Sequence, residues 1–427
     1  MEPPSSPPAT PVPTQERLVA LDLMRGIGVL GILLANVTAF GHVDIAYYWP
    51  GALPNGGNAA DRWIWLVQFV AVDGKFRGLF TLLFGASLLL FVERARQSAG
   101  GDSAAVKLQV RRLILLALIG LAHFALLFRG DILFTYACGG LGALLFLRLP
   151  AERLLAIGLI WAVVGAGVQA LAFLTPAMVE AGLSAAPPHV VEYYASFWQA
   201  QLEEASAQAA VLGQGSYADV LDYRLTEEAG LVAYYAQLAL YETIPLILIG
   251  LALFRGHVMG RQADDGSVML ISRPAAVGLA LAGLIANLAA GLWVMGQGFT
   301  PYVTQLAFFG LGPLANIPLL LGGAVLLARW AARPHTGWLA ARLVLAGRMA
   351  LSNYVGTSLV MMLVFQGWAG GLFGSLHRAE LLLVVLLGWA LMLTFSRVWL
   401  GRFRQGPLEW IWRCATYRRM FANRLPR

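Results

Sequence analysis

The sequence predicts an all-α membrane protein, a polytopic bundle of about ten transmembrane helices. Of the 427 residues, 59% are hydrophobic and only 12% are charged. The mean hydropathy is +0.68. Apolar runs of transmembrane length recur along the whole chain and are separated by short charged loops. A soluble core cannot bury this much apolar surface, so lipid must be the main solvent of the protein.

The chain opens with a stretch rich in proline and serine, residues 1–16, which predicts a disordered tail. The first apolar run, residues 18–41, has no basic segment before it and no small-residue cleavage site closely after it. It therefore predicts a retained membrane helix rather than a signal peptide. At about 20 apolar residues per crossing, further spans are predicted near 76–92, 111–128, 131–149, 153–175, 231–254, 272–296, 303–328, 349–369 and 380–400.

One apolar stretch is interrupted by charge. Residues 63–80 read WIWLVQFVAVDGKFRGLF and predict a short outer helix, a turn at Gly74 and a span that begins at Phe76. A helix break at membrane depth is tolerated only beside protein or a wet cavity. We therefore expect Lys75 and Arg77 to lie at the mouth of such a cavity.

The long polar segment 176–230 divides the chain into an N-terminal membrane half, residues 17–175, and a C-terminal membrane half with a tail, residues 231–427. Within that segment, residues 187–230 predict amphipathic helix on or above the outer membrane surface. No internal repeat is visible, and this weighs modestly against a transporter built from two duplicated halves.

Loop charges predict the orientation of the protein. Arginine and lysine side chains are concentrated in residues 93–112, in residues 329–348 and after residue 400, whereas residues 176–230 are rich in glutamate and aspartate. The positive-inside rule then places both termini in the cytoplasm. Because the basic residues are dispersed among loops, nucleic acid is not an expected partner. Cys138 and Cys414 match no metal-ligand spacing, so no metal is expected.

The first predicted span carries three polar residues on one face. Asp22, Arg25 and Asn36 fall within about 60° of one another at about 100° per residue. Asp22 and Arg25 are spaced to form an ion pair. That pair is equally compatible with an inner ligand site and with a structural lock between helices. Asn36 is expected near the outer surface.

His123 stands in a predicted span that is otherwise free of charge after its first turn. Histidine is the side chain most easily tuned for proton transfer near neutral pH, although a lone histidine can also be a hydrogen-bonded structural residue. Asp131 begins the next span after a tight turn and could orient the imidazole of His123. Glu242 is predicted at similar depth, either as a second partner of His123 or as a packing acid beside Pro245.

A further cluster is predicted at the inner side of the last spans. It contains Arg348, Asn353, Tyr354, Arg404 and Arg413, with tryptophans nearby. Such a basic, aromatic-rimmed site would suit a phosphate-bearing cytoplasmic ligand such as coenzyme A. The alternative is that the arginine and tryptophan side chains only anchor the helices at the interface.

Several stretches resemble the YeiB-like family of bacterial inner-membrane proteins, whose C-terminal half is a domain of unknown function. They are LDLMRGIGVLGILLAN, GKFRGLFTLLFGA, RRLILLALIGLAHFALLFRGDILFTYA, GRMALSNY and RQGPLEWIWR. The resemblance implies a multi-pass protein of the bacterial cytoplasmic membrane. The N-terminal half of that family is similar to heparan-alpha-glucosaminide N-acetyltransferase and, more distantly, to OafA-like acyltransferases, which move acyl groups from cytoplasmic acyl-CoA to a sugar.

The resemblance carries over to Asp22, Arg25 and Gly26. At the position of Asn36 the OafA-like pattern has a histidine, and asparagine cannot act as a base at neutral pH. The role of base would then fall to His123.

These observations predict an acyltransferase with acyl-CoA as co-substrate and a small molecule or glycan as acceptor. His123 with Asp131 would remove the acceptor proton, and Asn36 with Lys75 would stabilise the oxyanion or position the acceptor. The prediction requires a wet crevice bordered by His123. A transporter or exporter and a non-catalytic membrane subunit stay open as alternatives. Membrane lipid is an expected partner, and a homo-oligomer stays open.

Overall fold

A computed structural model describes residues 19–98, 101–256, 271–333 and 337–426. The predicted disordered tail lies outside the described residues. Within them the chain is helical and has no β-strand, apart from one isolated bridge between Phe403 and Arg424. The prediction of an all-α bundle is therefore confirmed.

The α-helices of the described chain are, in order along the sequence, α1 Val19–Gly41, α2 Ile45–Tyr48, α3 Ala59–Ala71, α4 Lys75–Ser98, α5 Asp102–Leu126, α6 Leu133–Ala143, α7 Ala151–Glu180, α8 Pro188–Gln214, α9 Tyr217–Thr226, α10 Leu231–Leu238, α11 Ile244–Arg255, α12 Arg273–Gly296, α13 Pro301–Gln305, α14 Gly312–Ala331, α15 Trp338–Arg348, α16 Ala350–Phe365, α17 Arg378–Leu400 and α18 Pro407–Tyr417. Two π-helical segments, Ala239–Thr243 and Leu306–Leu311, join α10 to α11 and α13 to α14.

Seven helical spans of the described chain are long and apolar enough to cross a membrane, or up to eight if the bent pair of α15 and α16 counts as one span. The seven spans and the bent pair together correspond to eight of the predicted spans. The two other predicted spans, near 111–128 and 131–149, coincide with α5 and α6, which are not among the seven. Helix α6 has only 11 residues, too few to cross a bilayer alone. The cytoplasmic location of both termini stays a prediction.

The predicted break before the second span is present. Helix α3 ends at Ala71 and α4 begins at Lys75, one residue earlier than predicted. Gly74 between them has φ +76°, a conformation that glycine adopts at little cost. A Cβ at Gly74 would lie 2.6 Å from the side-chain nitrogen of Asn316 on α14. This close approach brings Lys75 and its neighbours against the interior of the bundle.

Helix α1 lies at the centre of the bundle. Its apolar window is 72% buried, whereas the corresponding windows of α12 and α17 are 22% and 28% buried and face outward. Helices α15 and α16 both pack on α1, and the chain bends by 87° between them. The outer helices expose apolar side chains such as Ile285 and Leu387, as expected of surfaces in contact with lipid.

The segment between the two membrane halves folds as the long helix α8 and the shorter α9. Helix is what the sequence predicts for residues 187–230. An ionic cluster holds this segment against the loops at one end of the bundle. Nη1 of Arg129 lies 2.5 Å from a carboxylate oxygen of Asp44, and Nε of Arg129 lies 3.2 Å from Glu228. Gln208 of α8 accepts a hydrogen bond from the backbone N–H of Asp44 at 2.8 Å.

Candidate functional site

Two internal cavities meet inside the bundle. The larger, of about 360 Å³, is lined by Lys75, Arg77, Asp131 and Glu242 among others, and we call it the mixed-charge cavity. The smaller, of about 210 Å³, is lined by Arg25, Arg112 and Arg348, and we call it the basic cavity. The two cavities share a wall, the partition, which consists of Ile32, Ile132 and Tyr136.

Helix α1 connects the two cavities. Arg25 lines the basic cavity, Ile32 belongs to the partition, and Asn36 lines the mixed-charge cavity. The predicted polar face of the first span therefore faces the interior of the protein along its length. Nη1 of Arg25 donates a hydrogen bond to the buried Asp22 at 2.7 Å, and Nη2 donates to the hydroxyl of Ser87 at 2.7 Å. The predicted ion pair is present.

An ion pair and a π-helical segment shape the mixed-charge cavity. The guanidinium of Arg77 on α4 lies 2.7 Å from the carboxylate of Glu242, which belongs to the π-helical segment Ala239–Thr243. Glu242 is expected from the sequence either as a partner of His123 or as a packing acid beside Pro245, and in the structure its carboxylate pairs with Arg77 instead of His123. The second π-helical segment contributes Phe308 and Phe309 to the same cavity. Such segments are rare in proteins and are frequent at functional sites.

Lys75 lines the mixed-charge cavity, as the interrupted apolar stretch predicts. Its ammonium donates to the side-chain oxygen of the fully buried Asn287 at 2.9 Å and to the carbonyl oxygen of Phe69. An ammonium has three hydrogens, so one can point into the cavity. Asp73 and Asn316 line the cavity beside it. The side-chain oxygen of Asn316 is buried and accepts no hydrogen bond from the described residues.

His123 and Asp131 form the predicted contact. Nδ1 of His123 lies 2.8 Å from one carboxylate oxygen of Asp131, and the other oxygen accepts the backbone N–H of Phe134 at 2.7 Å. The carboxylate of Asp131 is thus held just before the start of α6. The tight turn after α5 makes this contact local, which explains why the sequence could indicate it.

His123 itself lines neither cavity. Its side chain is 1% exposed, and the rings of Tyr354 and Phe128 pack beside it with centroids at 4.9 and 6.4 Å. Nε2 is buried and has no hydrogen-bond partner among the described residues. The expected wet crevice bordered by the imidazole is therefore wrong, because aromatic side chains enclose the ring, and the predicted role of His123 as the base that contacts an acceptor is wrong with it. Asp131 is the member of the pair that lines a cavity, although its side chain is also buried, at 0% exposed.

The basic cavity also contains Arg112, which the sequence analysis counted only among the basic residues that predict the orientation. The guanidinium of Arg112 on α5 lies 4.5 Å from the ring centre of Phe91 and 4.2 Å from that of Trp412. Nη2 of Arg348 donates to the carbonyl oxygen of Arg404 at 3.2 Å. Three guanidinium groups from α1, α5 and α15 thus line one small cavity. The only signal for Arg112 in the sequence was its place before a long apolar run.

The four other residues of the predicted inner cluster, besides Arg348, do not share one environment. Tyr354 lines the basic cavity and holds its hydroxyl 3.3 Å from the carbonyl oxygen of Gly130. Asn353 is buried and donates to the hydroxyl of Ser396 at 2.9 Å, which is a contact between helices. Arg404 and Arg413 line neither described cavity. The structure therefore gathers only part of this cluster around one space.

Helix α18 covers the basic cavity at the end where the three arginines lie. Glu409 of α18 lines that cavity and accepts hydrogen bonds from the backbone N–H groups of Leu351 and Ser352 at 2.8 and 3.0 Å. Burial raises the pKa of the Glu409 carboxyl above its ordinary value. Trp412 Nε1 donates to the carbonyl oxygen of Arg112 at 2.9 Å. These contacts fix α18 to α5 and α16.

Metal ligands do not gather in the part of the chain that the structure describes, since no group of three or more His, Cys, Asp and Glu side chains comes together there. Cys138 and Cys414 are free thiols. The chemistry of the two cavities is that of carboxylate, guanidinium, ammonium and tyrosine groups.

The fold and the cavities define a class: a helical membrane protein with two adjacent cavities inside one bundle, each lined by charged as well as apolar side chains. Residues 253–419 match the family model described as "Protein of unknown function (DUF418)". The chain is 31% identical over 417 residues to "Uncharacterized protein YeiB" of Escherichia coli (strain K12), which covers 94% of this chain and 97% of that protein. It is 28% identical over 424 residues to "Uncharacterized protein YxaH" of Bacillus subtilis (strain 168), over 95% and 96% of the two chains.

The chain belongs to the YeiB-like DUF418 family, which confirms the resemblance seen in its motifs. No solved structure matches it. The relatives are described as uncharacterized, so the function of this chain has to be inferred from its cavities.

Proposed function

We propose that this protein is a membrane acyltransferase. The acyl group would come from acyl-CoA held in the basic cavity and pass to a hydroxyl or amine of an acceptor, such as a glycan, in the mixed-charge cavity. The observation that carries the proposal is that the two cavities share one wall of three residues, Ile32, Ile132 and Tyr136. A donor and an acceptor bound in them would approach each other there.

The basic cavity suits the donor because guanidinium groups bind phosphate strongly. Arg25, Arg112 and Arg348 line it together with apolar residues such as Val29 and Leu116. Its volume of about 210 Å³ is below that of ordinary ligand pockets. It would therefore hold only part of acyl-CoA, the acyl end against the apolar wall and a phosphate near the arginines. We place this cavity on the cytoplasmic side of the bacterial inner membrane, as the loop charges predict.

Asp131 is the base in this proposal, and His123 is a positioning residue. The acceptor proton moves to the Asp131 carboxylate while the acceptor oxygen or nitrogen forms a bond to the acyl carbon. The carbon–sulfur bond of the thioester breaks, and the leaving thiolate takes up the proton from Asp131. His123 would hold the carboxylate in place through its hydrogen bond of 2.8 Å.

The other polar residues of the mixed-charge cavity would bind the acceptor. Lys75 and Asn36 can donate hydrogen bonds to its oxygens, and the ion pair of Arg77 and Glu242 offers both a donor and an acceptor. The surrounding bundle would limit the access of water, so that acyl transfer is favoured over hydrolysis of the thioester.

The test uses the full chain purified in detergent. It is incubated with acetyl-CoA or a longer acyl-CoA, with and without a bacterial envelope glycan fraction. Free coenzyme A and acylated product are measured by mass spectrometry, because Cys138 and Cys414 would add to a thiol-reagent signal. We expect acceptor-dependent release of coenzyme A, which Asp131→Asn abolishes. No release with any acyl-CoA would overturn the proposal.

The adjacent cavities also suit a second candidate, a transporter or exporter of a small polar molecule. The observation that favours it is the same thin partition, because its movement would join the cavities into one pathway. Proteoliposomes that contain the protein and take up labelled glycans or acyl donors, without chemical change, would favour transport. Acylated product at the trans side would favour the enzyme.

A further inference from the structure

Tyr136 is the polar member of the partition. Its neighbours in that wall, Ile32 and Ile132, offer only hydrocarbon. The Tyr136 side chain is 3% exposed, and its ring stacks against Phe84 and Phe80 with centroids at 5.4 and 6.3 Å. The stacked ring therefore holds a hydroxyl group at the wall that separates the two cavities.

We propose that Tyr136 is a catalytic residue that donates a hydrogen bond to the carbonyl oxygen of the acyl group during transfer. This inference rests on the proposed acyltransferase function. The acyl carbon must be reached by the acceptor from one cavity and by the thioester from the other, so it must lie beside the partition. Negative charge then develops on the carbonyl oxygen, and a hydrogen-bond donor in a dry site stabilises that charge.

The local hydrogen bonds allow the Tyr136 hydroxyl to turn towards a ligand. The hydroxyl donates to the carbonyl oxygen of Arg77 at 3.1 Å and lies 3.2 Å from the hydroxyl of Thr81. The Thr81 hydroxyl also donates to the Arg77 carbonyl, at 2.8 Å. When the Tyr136 hydroxyl turns its single hydrogen towards a ligand, the Arg77 carbonyl oxygen keeps its hydrogen bond from Thr81. The movement therefore leaves no buried acceptor without a hydrogen bond.

Tyr136→Phe tests the role of the hydroxyl, because the ring and its stacking remain. We expect kcat to fall about 100-fold, as for other oxyanion donors, while KM for acyl-CoA changes by less than about threefold. Tyr302→Phe is the matched control, because the Tyr302 hydroxyl bonds to the carbonyl oxygen of Tyr194 away from both cavities. It should keep wild-type kinetics.

The outcomes separate this inference from the proposed function. Wild-type turnover together with a Tyr136→Phe kcat within about threefold of wild type overturns the role of Tyr136 and leaves the acyltransferase standing. Absence of turnover in the wild type overturns both.

Tyr136→Ala adds a second readout, because it removes the ring that divides the cavities. We expect coenzyme A release without acceptor to rise relative to acylated product, since water can then cross the partition. Unchanged coupling of release to product in a folded Tyr136→Ala variant, as judged by size-exclusion chromatography, would contradict the inference that the reaction takes place beside this ring.

Discussion

The imidazole of His123 lies 2.8 Å from the carboxylate of Asp131, yet only Asp131 lines a cavity. A histidine enclosed by aromatic rings cannot take a proton from an acceptor directly. It can hold the carboxylate in one orientation and stabilise its charge. Both side chains are buried, at 1% exposed for His123 and 0% for Asp131. The proposed acyltransferase uses Asp131 as the base and His123 as its support.

This division predicts different losses for the two residues. Asp131→Asn should lower the rate of coenzyme A release by about 10²–10⁴-fold, the usual contribution of a general base. His123→Gln, which can still donate a hydrogen bond, should lose less and should shift the pH profile of kcat. His189→Gln on the exposed surface of α8 is the control. Equal losses for His123→Gln and Asp131→Asn, with no shift of the profile, would contradict the assignment.

Arg112 should govern the affinity for the donor. Arg112→Gln removes a guanidinium from the basic cavity and should raise KM for acyl-CoA about tenfold, the cost of one charge-assisted hydrogen bond. Arg112→Lys keeps the charge but loses the planar fork, so its KM should be intermediate. Arg397→Gln, which changes an exposed arginine of α17, should leave KM unchanged. Calorimetric titration of the protein with coenzyme A compares the affinities of the same variants without turnover. Equal affinity of Arg112→Gln and wild type for coenzyme A would exclude this donor site.

Gly347 should be intolerant of any side chain. A Cβ at this position would lie 1.8 Å from the carbonyl oxygen of Asp22, a backbone atom of α1. Gly347→Ala must therefore push α15 away from α1, at a cost of about 1–3 kcal/mol or more. The measurement is the midpoint of thermal unfolding in detergent. Gly356→Ala, on α16 with no neighbour within 4 Å of a built Cβ, should change the midpoint little. Similar midpoints for the two variants would show that the helices do not pack this closely.

His42 should make stability depend on pH. Burial, followed by the charge of Arg378, lowers the pKa of His42 to about 4, although its ring lies 2.7 Å from the carbonyl oxygen of Leu376. Asp61 and His377 also act on this ring. Between pH 6.5 and pH 4 the unfolded chain binds a proton at His42 that the folded chain does not, so stability falls as the pH falls. The loss at pH 5 should be on the order of 2 kcal/mol.

The check compares the unfolding midpoints of wild type and His42→Gln at pH 7.5 and pH 5. Glutamine can still donate to the Leu376 carbonyl but does not ionise in this range. The variant should therefore show a smaller decrease in its midpoint on acidification. An equal decrease in both proteins would mean that other groups cause the acid sensitivity.

Local rules made much of the fold predictable from the sequence. The break at Gly74, the ion pair of Asp22 and Arg25 and the contact of His123 with Asp131 all join residues that are close in the chain. Lipid imposes span length and apolar composition on each crossing helix separately, so most spans could be placed without knowledge of their neighbours. Helices α5 and α6 were the exceptions. For α6 the apolar run continues past the end of a short helix.

Long-range contacts could not be predicted in the same way. The pairing of Arg77 with Glu242 joins residues far apart in the chain, and nothing in either local pattern indicates the other. Arg112 could be recognised as a basic residue at the start of an apolar run, but its place beside Arg25 and Arg348 depends on three helices meeting.

The sequence alone thus determined that this protein is a helical membrane bundle of the YeiB-like DUF418 family, with polar residues on the inner face of its first helix. The tertiary structure decided which polar residues of the whole bundle line a cavity. Each step along a helix turns the side chain by about 100°. Whether that side chain then meets a cavity depends on its neighbours, and the bulky rings of Phe128 and Tyr354 fill the space beside His123. For that reason aromatic rings enclose His123 on α5, whereas its hydrogen-bond partner Asp131, in the turn before α6, lines a cavity.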